Sequence, residues 1–189
     1  MTKTLILPGW QDSGPLHWQS LWEAHYGYQR VHQHDWLRPL RGDWIIQLEE
    51  AVLAVPSDQP VRLVAHSLGC ILIAAWASVS RSAHRVAGAF MVAPGDVERP
   101  DLQDMLPSWS PISLQKLPFA SLLVASQNDP FCTFERAAHL ASAWGSRLHD
   151  LGPRGHINAD SGLGPWPEGH AMLLQMASAN AAGSPPPPA

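Results

Sequence analysis

Ser67 lies in the pentapeptide Ala65-His66-Ser67-Leu68-Gly69, between an apolar run at 61–64 and a longer one at 70–77. A serine on a tight turn from strand to helix is pushed out above the edge of a parallel sheet, where its hydroxyl can serve as a nucleophile. Small residues two places to either side let strand and helix come together at that strained turn. The usual form is Gly-x-Ser-x-Gly; here Ala65 stands where the first glycine would be. The same letters fit a serine that only N-caps a helix, but the apolar runs on both sides favour the nucleophile. The chemistry this predicts is acyl transfer through a serine.

A serine hydroxyl is a poor nucleophile at neutral pH and needs an adjacent base, itself oriented by a third group. With a serine on such a turn the partners follow in the chain order Ser, acid, His, each on a loop at the carboxyl end of a strand. Asp129, in Ser126-Gln127-Asn128-Asp129-Pro130, follows an apolar run ending near Ala125 and is the expected acid; the same peptide also suits a plain turn. Asp96 is the reserve acid by the same positional logic. Among ten histidines, His156 follows the last expected strand and has Gly155 beside it, which singles it out over His139, His149 and His170 as the base. His66 is expected to point to the opposite side of the turn and to be structural. The developing oxyanion needs donors, and the backbone N–H groups of Leu68 and Trp10 are the candidates, with Gly9 allowing the loop to come close.

Other constellations are weaker. His32, His34 and Asp35 form a His-x-His-Asp cluster without the further ligands a metal site needs nearby, so no metal is expected. Ser113-Leu114-Gln115-Lys116 matches Ser-x-x-Lys without its companion motifs. No phosphate-cradling glycine loop is present, and no cofactor is expected.

The elements that must position these groups are legible as alternating patterns. Apolar runs at 4–7, 27–31, 61–65, 86–93, 119–125 and 146–151 read as buried strands. Helical spacing appears between most of them: at 15–25 through Leu16, Trp18, Leu21 and Trp22, and at 44–53 through Trp44, Ile45, Leu48 and Val52. A nearly all-apolar stretch at 70–77 reads as a buried central helix. Further helices are expected after Phe131, through Ala137, Leu140, Ala141 and Trp144, and at 168–177. The fold class is therefore α/β, one compact domain over 1–182 with a mostly parallel sheet of about six strands and helices on both faces. The loop at 94–118 is too short for a large lid, which predicts a fairly open site. The tail at 183–189, Gly-Ser followed by four prolines and Ala, is expected to be disordered.

With 189 residues there is room for one substantial core. A net charge of −4 supplies no strong positive field for phosphate backbones or anionic lipid, so neither nucleic acid nor membrane is an expected partner. Two cysteines, one on the expected central helix, read as reduced thiols of a cytoplasmic protein.

The chain resembles the small α/β-hydrolase-fold serine hydrolases typified by retinoblastoma-binding protein 9 and the bacterial YdeN-like proteins. The matching segments are Leu7-Pro8-Gly9-Trp10, Ser13-Gly14-Pro15-Leu16-His17-Trp18, Asp35-Trp36, Asp43-Trp44 and the pentapeptide around Ser67. They continue with Ser126-Gln127-Asn128-Asp129-Pro130, Gly155-His156-Ile157-Asn158 and Ser161-Gly162-Leu163-Gly164-Pro165-Trp166-Pro167-Glu168-Gly169. The resemblance implies an α/β-hydrolase fold without a large lid, a Ser67, Asp129, His156 triad, and cleavage of ester or amide bonds in small substrates. Trp10, Trp18 and Trp166 are candidate walls of the substrate pocket. The founding member's name points to a retinoblastoma-protein partner bound through Leu-x-Cys-x-Glu. Here the only Leu-x-Cys is Leu68-Gly69-Cys70, followed by Ile71-Leu72, so no such partner is implied.

The reading is a carboxylesterase or aminopeptidase-like serine hydrolase. The rival is an interaction module on the same fold, using the loop at 94–118 or the proline tail to bind a protein. An enzyme with a carboxylate nucleophile would need Asp or Glu at position 67, where Ser67 stands.

Overall fold

Six parallel strands form the frame of the molecule. The computed structural model describes residues 2–182, with side chains over 2–176; the expected proline tail lies outside these residues. The elements run β1 (Lys3–Leu7), α1 (Trp18–Tyr26), β2 (Gln29–Arg30), α2 (Arg41–Leu53), β3 (Val61–His66) and α3 (Leu68–Ala77). They continue with β4 (Val86–Val92), α4 (Pro100–Gln103), β5 (Ser121–Ala125), α5 (Phe134–Trp144), β6 (Arg147–Asp150) and α6 (Pro167–Ala182). The sheet order is β2-β1-β3-β4-β5-β6, all pairs parallel.

Alternation along each strand divides the core into two layers, because successive side chains leave opposite faces of a sheet. Leu5, Leu7, Leu63, Ala65, Ala89, Met91, Leu123 and Ala125 meet Trp44 and Leu48 of α2, nearly all of α3, and Leu140 and Trp144 of α5. Ile6, Val64, Phe90, Val92, Leu122 and Val124 meet Trp18 and Trp22 of α1 and Leu173 and Met176 of α6. Being covered on both faces, the inner strands must be apolar throughout, which is why they read as continuous runs.

The helix ends are set by local chemistry. α1 begins at Trp18 rather than Pro15, because the His17 side chain accepts the Gln19 N–H as an N-cap, and it ends at Gly27 in the left-handed region at φ 66°. α5 starts on a Thr133 cap and stops at Gly145, φ 69°. β2 contracts to two residues, since only Leu5 and Ile6 of β1 lie beside it at the sheet edge.

After β2 the chain crosses back to place β3 on the other side of β1, pairing Leu7 with Ala65. The loops leaving β1 and β3 therefore part at a topological switch point, the place where open α/β sheets bind ligands. The segment at 94–118 is not one loop: it carries α4 and a 3-10 turn at Pro107–Trp109. Trp109 is buried, its Nε1 donating to the Pro39 carbonyl at 2.9 Å, so the segment is anchored to the body of the fold. Among the described residues no helix is long and apolar enough to cross a membrane.

Candidate active site

Ser67 is held at φ 54° and ψ −121°, between the end of β3 and the first turn of α3. A non-glycine residue at positive φ is strained, and its surroundings hold it there. Its N–H donates to the Val92 carbonyl at 3.0 Å, tying the turn to β4. A Cβ on Gly69 would collide with the carbonyl oxygens of Leu7 and Pro8, so only glycine lets α3 start this close to the end of β1. Ala65 points into the packed layer beneath, where its methyl is completely buried.

His156 lies in the loop after β6 and is hydrogen bonded at both ring nitrogens. Nε2 is 2.9 Å from Ser67 Oγ, and Nδ1 is 2.9 Å from each carboxylate oxygen of Asp129. Because a carboxylate only accepts, Nδ1 carries the proton and Nε2 is left with a lone pair facing the hydroxyl. Asp129 also accepts the Phe131 N–H at 2.9 Å, which fixes the carboxylate within its own turn. The two loops brace each other: Asn128 Oδ1 accepts the Gly155 N–H at 2.7 Å, and Ser126 Oγ accepts the Arg154 N–H at 2.9 Å. Gly155 takes φ 56° at this crossing.

The Leu68 amide opens α3 and the Trp10 amide lies in the loop after β1. Both residues border the cavity above Ser67, and neither N–H donates to another group among the described residues. The β1 loop is rigidly held. Gln11 and Asp12 both have positive φ, 69° and 64°. Trp10 Nε1 donates to the Leu37 carbonyl at 3.0 Å, and the Asp12 carboxylate accepts from Arg30 Nη1 at 2.5 Å and from the Ser13 N–H at 2.7 Å.

The cavity has a volume of about 380 Å³. Val97, Leu102, Leu106 and Phe131 supply an apolar side, and His17, Asp12 and Asn158 a polar one. Among the described residues no lysine or arginine borders it.

Two of the expected pocket walls are corrected. Trp18 is 1% exposed and Trp166 2%, and both belong to the core layer under α1 and α6, while Trp10 does border the cavity. Their large apolar surfaces are best removed from water, and the ring of each packs on the other at 5.3 Å. Trp18 still bears on the site, because its Nε1 donates to the Ile157 carbonyl at 2.9 Å, directly after His156. His66 departs from expectation in its direction, since it borders the same cavity as Ser67, while its bond is to backbone. Two residues beyond Val64, it emerges on the α1 side of the sheet, its ring 4.8 Å from that of His156 and its Nε2–H donating to the His156 carbonyl at 2.8 Å. Burial, with His17 and His156 nearby, keeps it well below the usual histidine value.

Asp96 is engaged elsewhere, its carboxylate 3.3 Å from Arg136 Nε. The Asp35 carboxylate accepts the Leu37 and Arg38 amides. The residue that sequence reasoning passed over is His17, a cap on α1 that also forms cavity wall. Its signal was available: the residue capping a helix that follows β1 must sit at the carboxyl edge of the sheet.

A family model for serine hydrolases matches residues 4–175. The chain belongs to the serine hydrolase family. A protein described as a YdeN-like hydrolase from Pectobacterium atrosepticum is 32% identical, with a TM-score of 0.81 over 95% of this chain and 92% of that one. The ydeN gene product of B. subtilis is 22% identical, with a TM-score of 0.73 over 94% of this chain and 100% of that one. Est1E from Butyrivibrio proteoclasticus, in a structure with ferulic acid bound, shares the fold at 11% identity, with a TM-score of 0.70 over 94% and 90%. No curated protein matches the sequence.

Proposed function

We propose that this serine hydrolase is a carboxylesterase in which Ser67, His156 and Asp129 act as a catalytic triad on small neutral esters. The observation that carries the reading is the unbroken series of hydrogen bonds from Asp129 through His156 to Ser67, all near 2.9 Å. Ser67 Oγ attacks the ester carbonyl carbon while its proton passes to His156 Nε2. Asp129 holds the imidazole in the required tautomer and stabilises the imidazolium. The Leu68 and Trp10 amides receive the oxyanion. The imidazolium returns the proton to the departing alkoxide, leaving an acyl-Ser67 ester. A water, deprotonated by His156 Nε2, attacks that ester; collapse of the second tetrahedral species releases the carboxylic acid and reprotonates Ser67.

The cavity supports esters over aminopeptidase substrates. An α-ammonium group needs an unpaired anion, and the carboxylate bordering the cavity away from His156, Asp12, is engaged by Arg30. The apolar side made by Val97, Leu102, Leu106 and Phe131 fits an uncharged acyl or alkyl group. Two free, buried cysteines accord with a cytoplasmic enzyme.

The experiment is intact mass after fluorophosphonate treatment of the wild type, Ser67→Ala and His156→Ala, followed by an ester panel. One adduct on the wild type and none on the folded variants is expected. A folded wild type that neither labels nor hydrolyses activated esters overturns the enzyme reading and favours a binding module.

A further inference from the structure

His17 borders the cavity over Ser67, is only 5% exposed, and has one ring nitrogen without a partner. Its Nδ1 accepts the Gln19 N–H at 3.1 Å, so in the neutral ring the proton resides on Nε2. No acceptor for that N–H lies within reach among the described residues.

Acceptors on the surrounding elements serve other donors. Gln19 Oε1 takes the Ser13 hydroxyl at 2.8 Å, the Leu7 and Val64 carbonyls take the Gln19 amide at 3.2 Å, and the His156 carbonyl takes His66. The ring is fixed by the cap and by packing on His66 at 4.7 Å and Trp18 at 5.3 Å. Burial, with His156 and Arg30 adding to it, pushes His17 down to about 3, so the ring is neutral throughout the working range. Native proteins rarely leave a buried donor unpaired, and each exception asks for an account such as a water, an ion or a ligand. Of the three orphaned side-chain atoms among the described residues, only that of His17 belongs to a residue bordering the cavity. At a cavity wall that account is the ligand.

We infer that His17 is a substrate-binding residue whose Nε2–H donates to an oxygen of the ester other than those of the scissile group. This rests on the hydrolase reading above. With no lysine or arginine on the cavity wall among the described residues, the acceptor is a neutral ether, hydroxyl or carbonyl oxygen rather than a carboxylate. The substrate class is thus an ester with one further oxygen acceptor on its acyl or alcohol part.

The test uses two isosteric pairs: p-nitrophenyl methoxyacetate against p-nitrophenyl butyrate, and 2-methoxyethyl acetate against butyl acetate. In His17→Asn the amide oxygen replaces Nδ1 as the helix cap, while the donor at Nε2 is lost. In His17→Gln the amide nitrogen reaches the Nε2 position. Folding is checked by thermal melting and the integrity of the machinery by the rate of fluorophosphonate labelling. The expected result is that the ratio of kcat/KM for the ether over the alkyl member of at least one pair falls about tenfold in His17→Asn and recovers in His17→Gln. Unchanged ratios in both pairs, in a folded variant that labels at the wild-type rate, overturn the inference.

A second measurement needs no variant. In wild-type protein labelled with a 2-methoxyethyl or a butyl phosphonate, the His17 Nε2–H proton should resonate further downfield in the ether adduct, and identical shifts count against the inference. A wild type inert to every ester and to the probe instead removes the hydrolase reading, and this one with it.

Discussion

Gly9 passes so close to Ser67 that a Cβ at position 9 would lie 2.7 Å from the Cβ of Ser67 and 3.3 Å from its hydroxyl. This contact exists because β1 and β3 are neighbours, so the loops leaving them meet above the sheet edge. It brings Trp10 to the border of the same cavity as Ser67.

Gly9→Ala should therefore displace either Ser67 or the loop that carries Trp10. Overpacking of this kind costs about 1–3 kcal/mol in stability, and a misplacement of about 1 Å can cost about 100-fold in rate. The expected outcome is a folded enzyme with a modestly lowered Tm and kcat down about 100-fold on an activated ester. A variant with wild-type kcat would mean that the loop does not serve the transition state.

Arg30 is a positioning residue for the same loop. It binds Asp12, Glu23, the Ser20 hydroxyl and the Ser13 carbonyl, with its side chain 10% exposed. Arg30→Met leaves two carboxylates close together without their cation, a loss of about 2–3 kcal/mol for partly buried pairs. If the loop presents the Trp10 amide to the oxyanion, kcat should fall about tenfold with KM nearly constant, because that bond strengthens only in the transition state. Steady-state kinetics decide it: a rise in KM alone would assign Arg30 to ground-state binding.

Much of this was legible in the sequence, for reasons visible in individual residues. Buried parallel strands cannot hide their composition, so the run before Ser67 and the run ending at Ala125 announce both strands and the loops after them. That Ser67, Asp129 and His156 come together was legible because which loops meet at the carboxyl edge of a sheet depends on chain position more than on packing. Trp18 and Trp166 show where that logic stops. Both flank the site in sequence, yet which way a tryptophan turns depends on the space left by Phe90 of β4 and by Trp22 of α1. His66 was misplaced because strand alternation, not the elbow, governs its direction. The position of His17 at the sheet edge was readable, but its unpaired ring nitrogen was hidden, because such an orphan appears only when every neighbour's partner is known.

Trp166 is held at φ 41°, and a Cβ on Gly169 would collide with its ring. Two effects oppose each other in Gly169→Ala. Helix propensity favours alanine by about 1 kcal/mol, whereas forcing Trp166 off Trp18 and Trp22 costs about 1–3 kcal/mol and more if the ring cannot move. The steric term should win, lowering Tm by about 3–6 °C. Calorimetry reads the sign directly, and a higher Tm would show that the aromatic layer is slack.

The two buried histidines His17 and His66 contribute to the acid limb of stability. In the folded protein His17 is down to about 3 and His66 lies well below 6.5, in both cases chiefly through burial. Unfolding restores the ordinary value of 6.5, so below that pH the unfolded chain binds more protons and stability falls as pH falls. The stability they allow is fully present above 6.5. For His17 it is withdrawn down to about 3, at about 1.4 kcal/mol per pH unit once the unfolded ring is charged. Asparagine at position 17 keeps the cap and does not titrate, so His17→Asn should lose stability more gently than wild type between pH 6 and 4, by about that slope. Urea denaturation at intervals across this window would show parallel curves for the two proteins if His17 were free to protonate in the fold.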